Sequence, residues 1–196
     1  MHRSRLVSTL VAVLTVVLIG ATATACGDGG AQAATDHNAA DVSFVSEMIP
    51  HHQQAVEMVD LTEGRDLDPE FLALARQIRD AQEPEIVEMQ RWLDRWSAPA
   101  AGDDSADAES DADGMSMGGD MDGMMSSEQL TKLAGARDGS FRRLWLQSMI
   151  EHHQGALGMA RGEVSGGKSP EAVALAGEIQ DTQAAEIRQM QDLLAR

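Results

Sequence analysis

The sequence contains one cysteine, Cys26, no tyrosine, and far fewer basic than acidic side chains. A single thiol excludes an intramolecular disulfide bond. Lysine and arginine number 15 against 32 aspartate and glutamate residues, for a formal net charge of −17. Nucleic acid is therefore not an expected partner, because its binding depends on basic side chains. Aromatic residues make up only 3% of the chain, so the core must be built from Leu, Ile, Val, Met and Ala, a composition that favours helices.

The N-terminal segment has the pattern of an export signal. Arg3 and Arg5 provide a cationic start, residues 6–19 form an apolar run, and small residues lead to Cys26. The run is short for a permanent membrane helix, so residues 1–25 are predicted to be a signal peptide. The segment around Cys26 resembles a bacterial lipobox, which predicts a membrane-anchored lipoprotein that faces outside and touches the membrane only through its lipid. Ordinary cleavage, giving a secreted soluble protein, is the alternative.

Two segments of the chain repeat each other at a constant offset of 101 residues. Met48-Ile49-Pro50-His51-His52 in the first corresponds to Met149-Ile150-Glu151-His152-His153 in the second. The same offset relates Met58, Pro69, Ile78, Gln82, Glu85, Ile86 and Met89 to Met159, Pro170, Ile179, Gln183, Glu186, Ile187 and Met190. A register kept without a gap over this distance predicts that one module of roughly 50 residues occurs twice.

Each module is predicted to be a helical hairpin. From Phe44 to Val59 the apolar residues recur at helical spacing and form one broad stripe. Pro69 is well suited to the first position of the following helix. One hairpin cannot cover its own apolar face, so the two are predicted to pack as an all-α four-helix bundle with approximate two-fold internal symmetry. Packing of hairpins from two chains, as a homodimer, is the competing arrangement.

Composition divides the chain into five predicted parts. The segment between the modules is rich in Pro, Gly, Ser, Asp and Met and has little capacity to bury a core. After it, Ser126 or Ser127 can cap a short helix, with Glu128 or Gln129 completing the cap. The parts are a signal peptide (1–25), a lipidated Cys26 with a flexible tether (26–40), the first hairpin (41–97), an acidic Met-rich linker (98–125), and a short helix with the second hairpin (126–196).

The histidine pairs are the strongest candidates for chemistry. On the first helix His52 projects near the centre of the apolar stripe, and His51 lies toward one edge, beside Met58. Met48 can neighbour both histidines, and the second module repeats this geometry. Imidazole nitrogen with thioether sulfur is a soft ligand set that suits Cu(I), with Ag(I) as a chemical mimic, while Cu(II) could use imidazoles and carboxylates. The pattern therefore indicates a copper site.

Polar residues on the second helix of each module are predicted to lie on or near its apolar face, where they need partners. A carboxylate and an amide there could orient the imidazoles behind a metal. The alternative is that His52 and His153 are core histidines hydrogen-bonded to these residues, with the methionines merely filling space. The four orienting residues are Gln82, Glu85, Gln183 and Glu186.

Methionines in the linker provide an independent indication of copper. They are spaced so that a flexible chain could wrap two or three thioethers around Cu(I). Compositional drift, or a role as residues that are sacrificed to oxidation, is the alternative interpretation. The predicted auxiliary ligands are Met115, Met117, Met121, Met124 and Met125.

These motifs resemble the family called domain of unknown function 305, which carries Met-Ile-x-His-His-x-x-Ala-x-x-Met followed by Gln-x-x-Glu-Ile-x-x-Met. Both halves of the chain match. The resemblance implies a ferritin-like helical bundle, usually exported, with copper binding and tolerance in some members. An Asp three residues before the first aromatic is usual; Asp41 precedes Phe44, but Arg142 precedes Trp145. The implied metal ligands are Met48, His51, His52 and Met58 in one half and Met149, His152, His153 and Met159 in the other.

Three classes of function follow, of which the first is a protein that binds copper at the cell surface for buffering, sequestration or tolerance. The second is a ferritin-like metal oxidase, which would need Glu-x-x-His pairs in the core. Glu47 is four residues before His51 and Glu151 adjoins His152, so no such pair exists and the protein is expected not to be an enzyme. The third is a metal-free interaction or envelope-stress module, in which the histidines only stabilise the bundle.

Overall fold

Five helices make up the computed structural model, which describes residues 36–97 and 122–196. They are α1 (Ala39–Asp60), α2 (Pro69–Ser97), α3 (Ser127–Ala134), α4 (Asp138–Gly166) and α5 (Pro170–Leu194). The described ranges contain no strand, so the all-α prediction is confirmed. None of the described helices has the length and apolarity needed to cross a bilayer. The predicted signal peptide, Cys26, Met115, Met117 and Met121 lie outside the described residues.

Short local motifs set the beginnings of the helices. Asn38 caps α1 in a reciprocal capping box with Asp41. The predicted cap of α3 is confirmed as Ser126, whose side chain accepts from the Gln129 amide while Gln129 reaches back to the Ser126 amide. As predicted, α2 begins at Pro69, where the missing N–H breaks no helical hydrogen bond. These local motifs fix the residues at which α1, α2 and α3 begin.

The two hairpins, α1 with α2 and α4 with α5, meet mainly through α1 and α4. These helices are antiparallel: near one end the Trp145 indole donates to the Met58 carbonyl at 2.7 Å, and near the other the Asn38 amide donates to the Gly166 carbonyl at 2.9 Å. Equivalent residues of the repeat therefore face each other midway along the crossing. The result is a four-helix bundle with an approximate internal two-fold axis.

The core consists of two apolar clusters at opposite ends of the bundle. One contains Phe71, Phe141, Trp145 and Met190; the other contains Phe44, Trp92, Ala160 and Ile179. Between them, every long helix carries buried or partly buried polar side chains. We call this set the mid-bundle polar layer: His51, His52, Gln82, Glu85, His152, His153, Gln183 and Glu186.

A buried pair of carboxyl groups fixes the start of α1 against the end of α4. Asp41 accepts from the backbone amides of Asn38, Lys168 and Ser169. Burial acts to raise the pKa of Asp41, but these hydrogen bonds outweigh it and lower that pKa. Burial and the Asp41 carboxylate raise the pKa of Glu163 to about 7; its protonated form lies beside Asp41 and can donate to it after a small adjustment, since neither Glu163 oxygen has full hydrogen-bond geometry within the described residues. The family's Asp therefore has a structural use here.

Replacing Glu163 with Gln should make stability less dependent on pH. The folded protein holds the Glu163 proton up to about pH 7, whereas the ordinary pKa of 4.5 applies on unfolding. Stability from this proton is therefore complete below pH 4.5 and is lost as pH rises to about 7. Gln can donate to Asp41 at every pH. Urea midpoints at pH 5 and pH 8 should show a gain over wild type that is larger at pH 8.

Comparison with wild type at each pH cancels the contributions of the other titrating groups to stability. Asp41 does not interfere, because its contribution to stability is lost only below its ordinary pKa of 3.8. Glu57→Gln, on the exposed side of α1, is the matched control and should leave the pH dependence unchanged. Equal effects of both variants at pH 8 would contradict the assignment of a shared proton to Glu163.

Candidate metal centre

Two imidazoles from equivalent positions of the repeat face each other at the centre of the bundle. The ring centroids of His51 and His152 are 3.7 Å apart, with 36° between the planes. Both side chains have no exposed surface. From the sequence, His51 was expected toward the edge of the apolar stripe; it is fully buried because α4 covers that edge. The internal two-fold axis passes between these rings.

The nitrogens of this facing pair have no hydrogen-bond partner, although the rings are enclosed. Neither Nδ1 nor Nε2 of His51 or His152 is paired within the described residues; the Asp122 backbone carbonyl approaches His51 without full hydrogen-bond geometry. Burial, aided by repulsion from the neighbouring imidazoles, lowers the pKa of His51 to about 3 and that of His152 well below its ordinary value. Both rings are therefore neutral, the state in which imidazole binds a metal.

The second histidine of each pair is held by a carboxylate. His52 Nε2 lies 2.7 Å from Glu85 Oε2, and His153 Nε2 lies 2.9 Å from Glu186 Oε2, over the same sequence separation of 33 residues. The Nδ1 atom of each ring has no partner among the described residues. Such a contact orients an imidazole, as a metal site requires, and it also satisfies a core histidine. It therefore agrees with both interpretations drawn from the sequence.

The two carboxylates differ in their surroundings. The Glu186 side chain is 1% exposed, whereas that of Glu85 is 17% exposed. The Gln77 amide also donates to Glu186, at 3.3 Å. Glu186 thus contacts the buried His153 ring and the exposed Gln77 side chain, while water can reach the Glu85 carboxylate.

The glutamines of the polar layer do not bind the histidines. Gln82 and Gln183 are buried as predicted, but within the described ranges both polar atoms of the Gln82 amide and Oε1 of Gln183 lack a partner. With the unpaired ring nitrogens, they give the centre of the bundle an excess of buried polar atoms, each of which would gain from a ligand or water.

The four methionines of the histidine motifs lie in two pairs, and each pair takes one residue from each module. Met58 and Met149 belong to one apolar cluster, and Met48 belongs to the other, with the partly buried Met159 packed against it. Each side of the polar layer therefore receives one methionine from each module, because α1 and α4 are antiparallel. Met48, Met58 and Met149 are fully buried.

No three side chains of His, Cys, Asp or Glu gather into a metal cluster within residues 36–97 and 122–196. Two neutral imidazoles and buried thioethers nonetheless lie in neighbouring layers of the bundle. A cation bound at the facing pair would thus have two nitrogen ligands and would need sulfur for more. This donor set favours a soft ion such as Cu(I) over Mg²⁺ or Ca²⁺, which prefer oxygen.

Sequence reasoning did not identify Gln54 and Gly155, which contact the segment entering α3. They occupy equivalent positions of the repeat yet differ in type, directly beside the shared histidine motif. A mismatch inside an otherwise matching motif is the signal that could have found them. Of the predicted auxiliary ligands, Met124 and Met125 are described, and both are partly buried in this segment.

The chain is similar to one known family and to several solved structures. The family model "Domain of unknown function (DUF305)" matches residues 41–194. A DUF305 fragment from Deinococcus radiodurans is 30% identical, with a TM-score of 0.66 over 81% of this chain and 97% of that one. A DUF305 protein from Streptomyces coelicolor is 36% identical, with a TM-score of 0.66 over 80% and 92%.

A third similar structure is CopM in its Cu(I)-bound form, which is 33% identical, with a TM-score of 0.60 over 78% of this chain and 94% of that one. CopM has also been solved in Cu(II)-bound and Ag-bound forms. No curated protein matches the chain significantly. The family model covers both hairpins and both histidine pairs, and the chain therefore belongs to the DUF305 family.

Proposed function

We propose that this protein is an extracytoplasmic copper-binding protein that holds Cu(I) between its two modules, at His51 and His152. The observation that carries the proposal is the facing pair of buried, neutral imidazoles, whose four nitrogens have no hydrogen-bond partner in the part of the chain that the structure describes. An unsatisfied buried polar group destabilises a protein by about 1–3 kcal/mol. A bound cation would convert one of these nitrogens on each ring into a ligand.

The methionines complete the proposed ligand set. His52 and His153 are each held by a carboxylate through one nitrogen, which leaves the facing pair as the principal nitrogen donors. Thioethers bind Cu(I) without a proton to release, so buried methionines suit a dry site. In the proposed site Met48, Met58, Met149 and Met159 supply sulfur from both sides of the polar layer, and Glu85 and Glu186 orient the outer imidazoles.

The relatives support copper as the cargo and the outside of the cytoplasm as the location. CopM, at 33% identity, has been solved with Cu(I), Cu(II) and Ag, and the Streptomyces coelicolor relative is named for its expected secretion. We propose buffering or sequestration of copper at the cell surface, with an anchor at Cys26 and auxiliary binding by Met115, Met117, Met121, Met124 and Met125. A secreted soluble form is the alternative.

A metal-free envelope module is the second candidate function. The His52 to Glu85 and His153 to Glu186 hydrogen bonds favour it, because a structural histidine needs such a partner. It leaves six of the eight ring nitrogens of the polar layer without a hydrogen-bond partner among residues 36–97 and 122–196. Copper binding at the facing pair gives His51 and His152 a role as ligands that the metal-free module does not, and it is therefore the function that the geometry supports better.

Copper loading of the purified protein tests the proposal. The protein should retain Cu(I) against a competing chelator, and X-ray absorption at the copper edge should give both a nitrogen and a sulfur shell, because the nearest donors are imidazoles and thioethers. Zn²⁺ is the control ion and should be held less well by thioethers. Loss of all Cu(I) to the chelator would contradict copper binding, and a shell of nitrogen alone would exclude the methionines.

A further inference from the structure

The segment Asp122–Met125, which we call the strap, is tied to α1 by a single side chain. The Gln54 amide nitrogen donates to the Met125 carbonyl at 2.8 Å, and the Met125 amide donates to Gln54 Oε1 at 2.7 Å. Both ends of the side-chain amide are therefore used by one backbone residue, as in the pairing of two strands. Gln54 is 8% exposed and lies one turn beyond His51 on α1.

The strap also lies against the backbone of α4, in a notch that only glycine permits. A Cβ at Gly155 would lie 1.8 Å from the Asp122 carbonyl oxygen. Gly123 has φ of 85°, and a Cβ there would lie 2.5 Å from the Glu151 carbonyl oxygen and 3.0 Å from that of His152. Side chains are excluded from both contacts, so the strap is seated on the turn of α4 that carries His152.

Gln54 and Gly155 are the same position of the repeat, 101 residues apart. Around them the motif is shared, with a histidine pair before this position and an alanine after it. In the first module this position is Gln54, whose side chain binds the strap. In the second module it is Gly155, where the absence of a side chain leaves room for the strap. The two residues that break the symmetry of the repeat therefore both contact the strap. The strap crosses the α1–α4 interface beside His51 and His152.

We propose that the strap is the gate through which a metal ion reaches His51 and His152, with Gln54 as its latch. The inference rests on the proposed function. The described loops 61–68, 135–137 and 167–169 lie toward the ends of the bundle, where their partners include Asp41 and Arg65. The strap is the described non-helical segment that covers the α1–α4 interface beside His51 and His152. Lifting it breaks the Gln54 contacts, whereas moving a helix would expose the apolar clusters.

The first test is independent of metal. In Gln54→Ala, the Met125 amide should exchange its hydrogen about tenfold faster, since two hydrogen bonds of modest net strength are lost. Acylation of His51 and His152 by diethyl pyrocarbonate, followed by mass spectrometry, should accelerate similarly. Gln53→Ala, at an exposed neighbour on α1, is the matched control and should behave as wild type. Equal acylation rates in the two variants would overturn the gate.

Two further variants separate the gate from a loss of folding. Gln54→Glu keeps the acceptor for the Met125 amide but sets a carboxylate oxygen against the Met125 carbonyl oxygen, which it repels, so its rates should be at least as fast as those of Gln54→Ala. Gly155→Ala closes the notch and should also accelerate acylation. Gly158→Ala is its control, because a Cβ there meets nothing within 4 Å. Acceleration by Gly158→Ala as large as by Gly155→Ala would count against the strap.

The second test uses Cu(I) itself. Opening a gate speeds entry and exit alike, so Gln54→Ala should load Cu(I) and transfer it to a chelator about tenfold faster, with little change in the equilibrium affinity. Faster release with unchanged loading would overturn the gate and make the strap a ligand. If wild type binds no Cu(I), the proposed function fails, and the acylation rates still decide whether the strap controls access to the histidines.

Discussion

The double variant His51→Leu with His152→Leu is expected to lose Cu(I) affinity by more than about 100-fold, while its metal-free form unfolds at an unchanged or higher urea concentration. Loss of a group that merely orients a ligand weakens metal binding by about 10–100-fold, so loss of two ligands should exceed that. Leucine approximates the volume of imidazole and removes four buried nitrogens that have no partner within the described ranges, each a destabilising feature of the metal-free protein. Chelator competition and urea unfolding measure the two effects.

His37→Leu is the control for loss of an imidazole elsewhere, because His37 stacks on Trp96 rather than entering the polar layer. It should retain Cu(I) affinity. A metal-free double variant that is several kcal/mol less stable than wild type would make His51 and His152 structural residues, and would favour the metal-free module. Because Cu(I) affinity is expected to fall while stability is retained or increased, the leucine variant distinguishes a ligand from a structural residue. An alanine substitution would do so less clearly, because it would add a cavity.

Removing Glu186 should destabilise the metal-free protein far more than removing its repeat equivalent, Glu85. In Glu186→Ala the His153 ring loses its partner inside the bundle, and breaking such a buried pair costs about 3 kcal/mol. In Glu85→Ala water can replace the carboxylate, so the loss should be about 1 kcal/mol. At about 3 °C per kcal/mol, Glu186→Ala should lower Tm by about 9 °C.

Calorimetry of the metal-free proteins checks this difference. Glu186→Gln keeps an oxygen that can accept from His153, and it should recover most of the stability lost in Glu186→Ala. Equal losses in Glu85→Ala and Glu186→Ala would contradict the different burial of the two carboxylates and would indicate that water enters the polar layer from both sides.

Much of the fold follows from local sequence patterns. The helical period, the proline at the start of α2 and the Ser126 cap act within one or two turns, so they can be read without knowing how the helices pack. The repeat supplied the two-fold relation of the hairpins. It also placed a carboxylate 33 residues after His52 and after His153, and those residues do form hydrogen bonds.

The centre of the site depends on packing, and the sequence could not supply it. The contact of His51 with His152 follows from the antiparallel crossing of α1 and α4, which turns an edge position of one helix into a buried one. The same crossing places Met58 with Met149 and Met48 with Met159. The Asp41 and Glu163 pair joins residues 122 positions apart, whose repeat equivalents are Arg142 and Thr62, so no periodicity predicts it.

The internal two-fold axis between His51 and His152 has a consequence for dilution. A free module of this kind could assemble the facing imidazoles only by meeting a second copy, and that encounter becomes rarer as the protein is diluted. Covalent connection of the modules replaces the encounter with an intramolecular one. The two imidazoles should therefore remain opposed at any protein concentration, which suits the proposed binding of an ion that is present at low concentration.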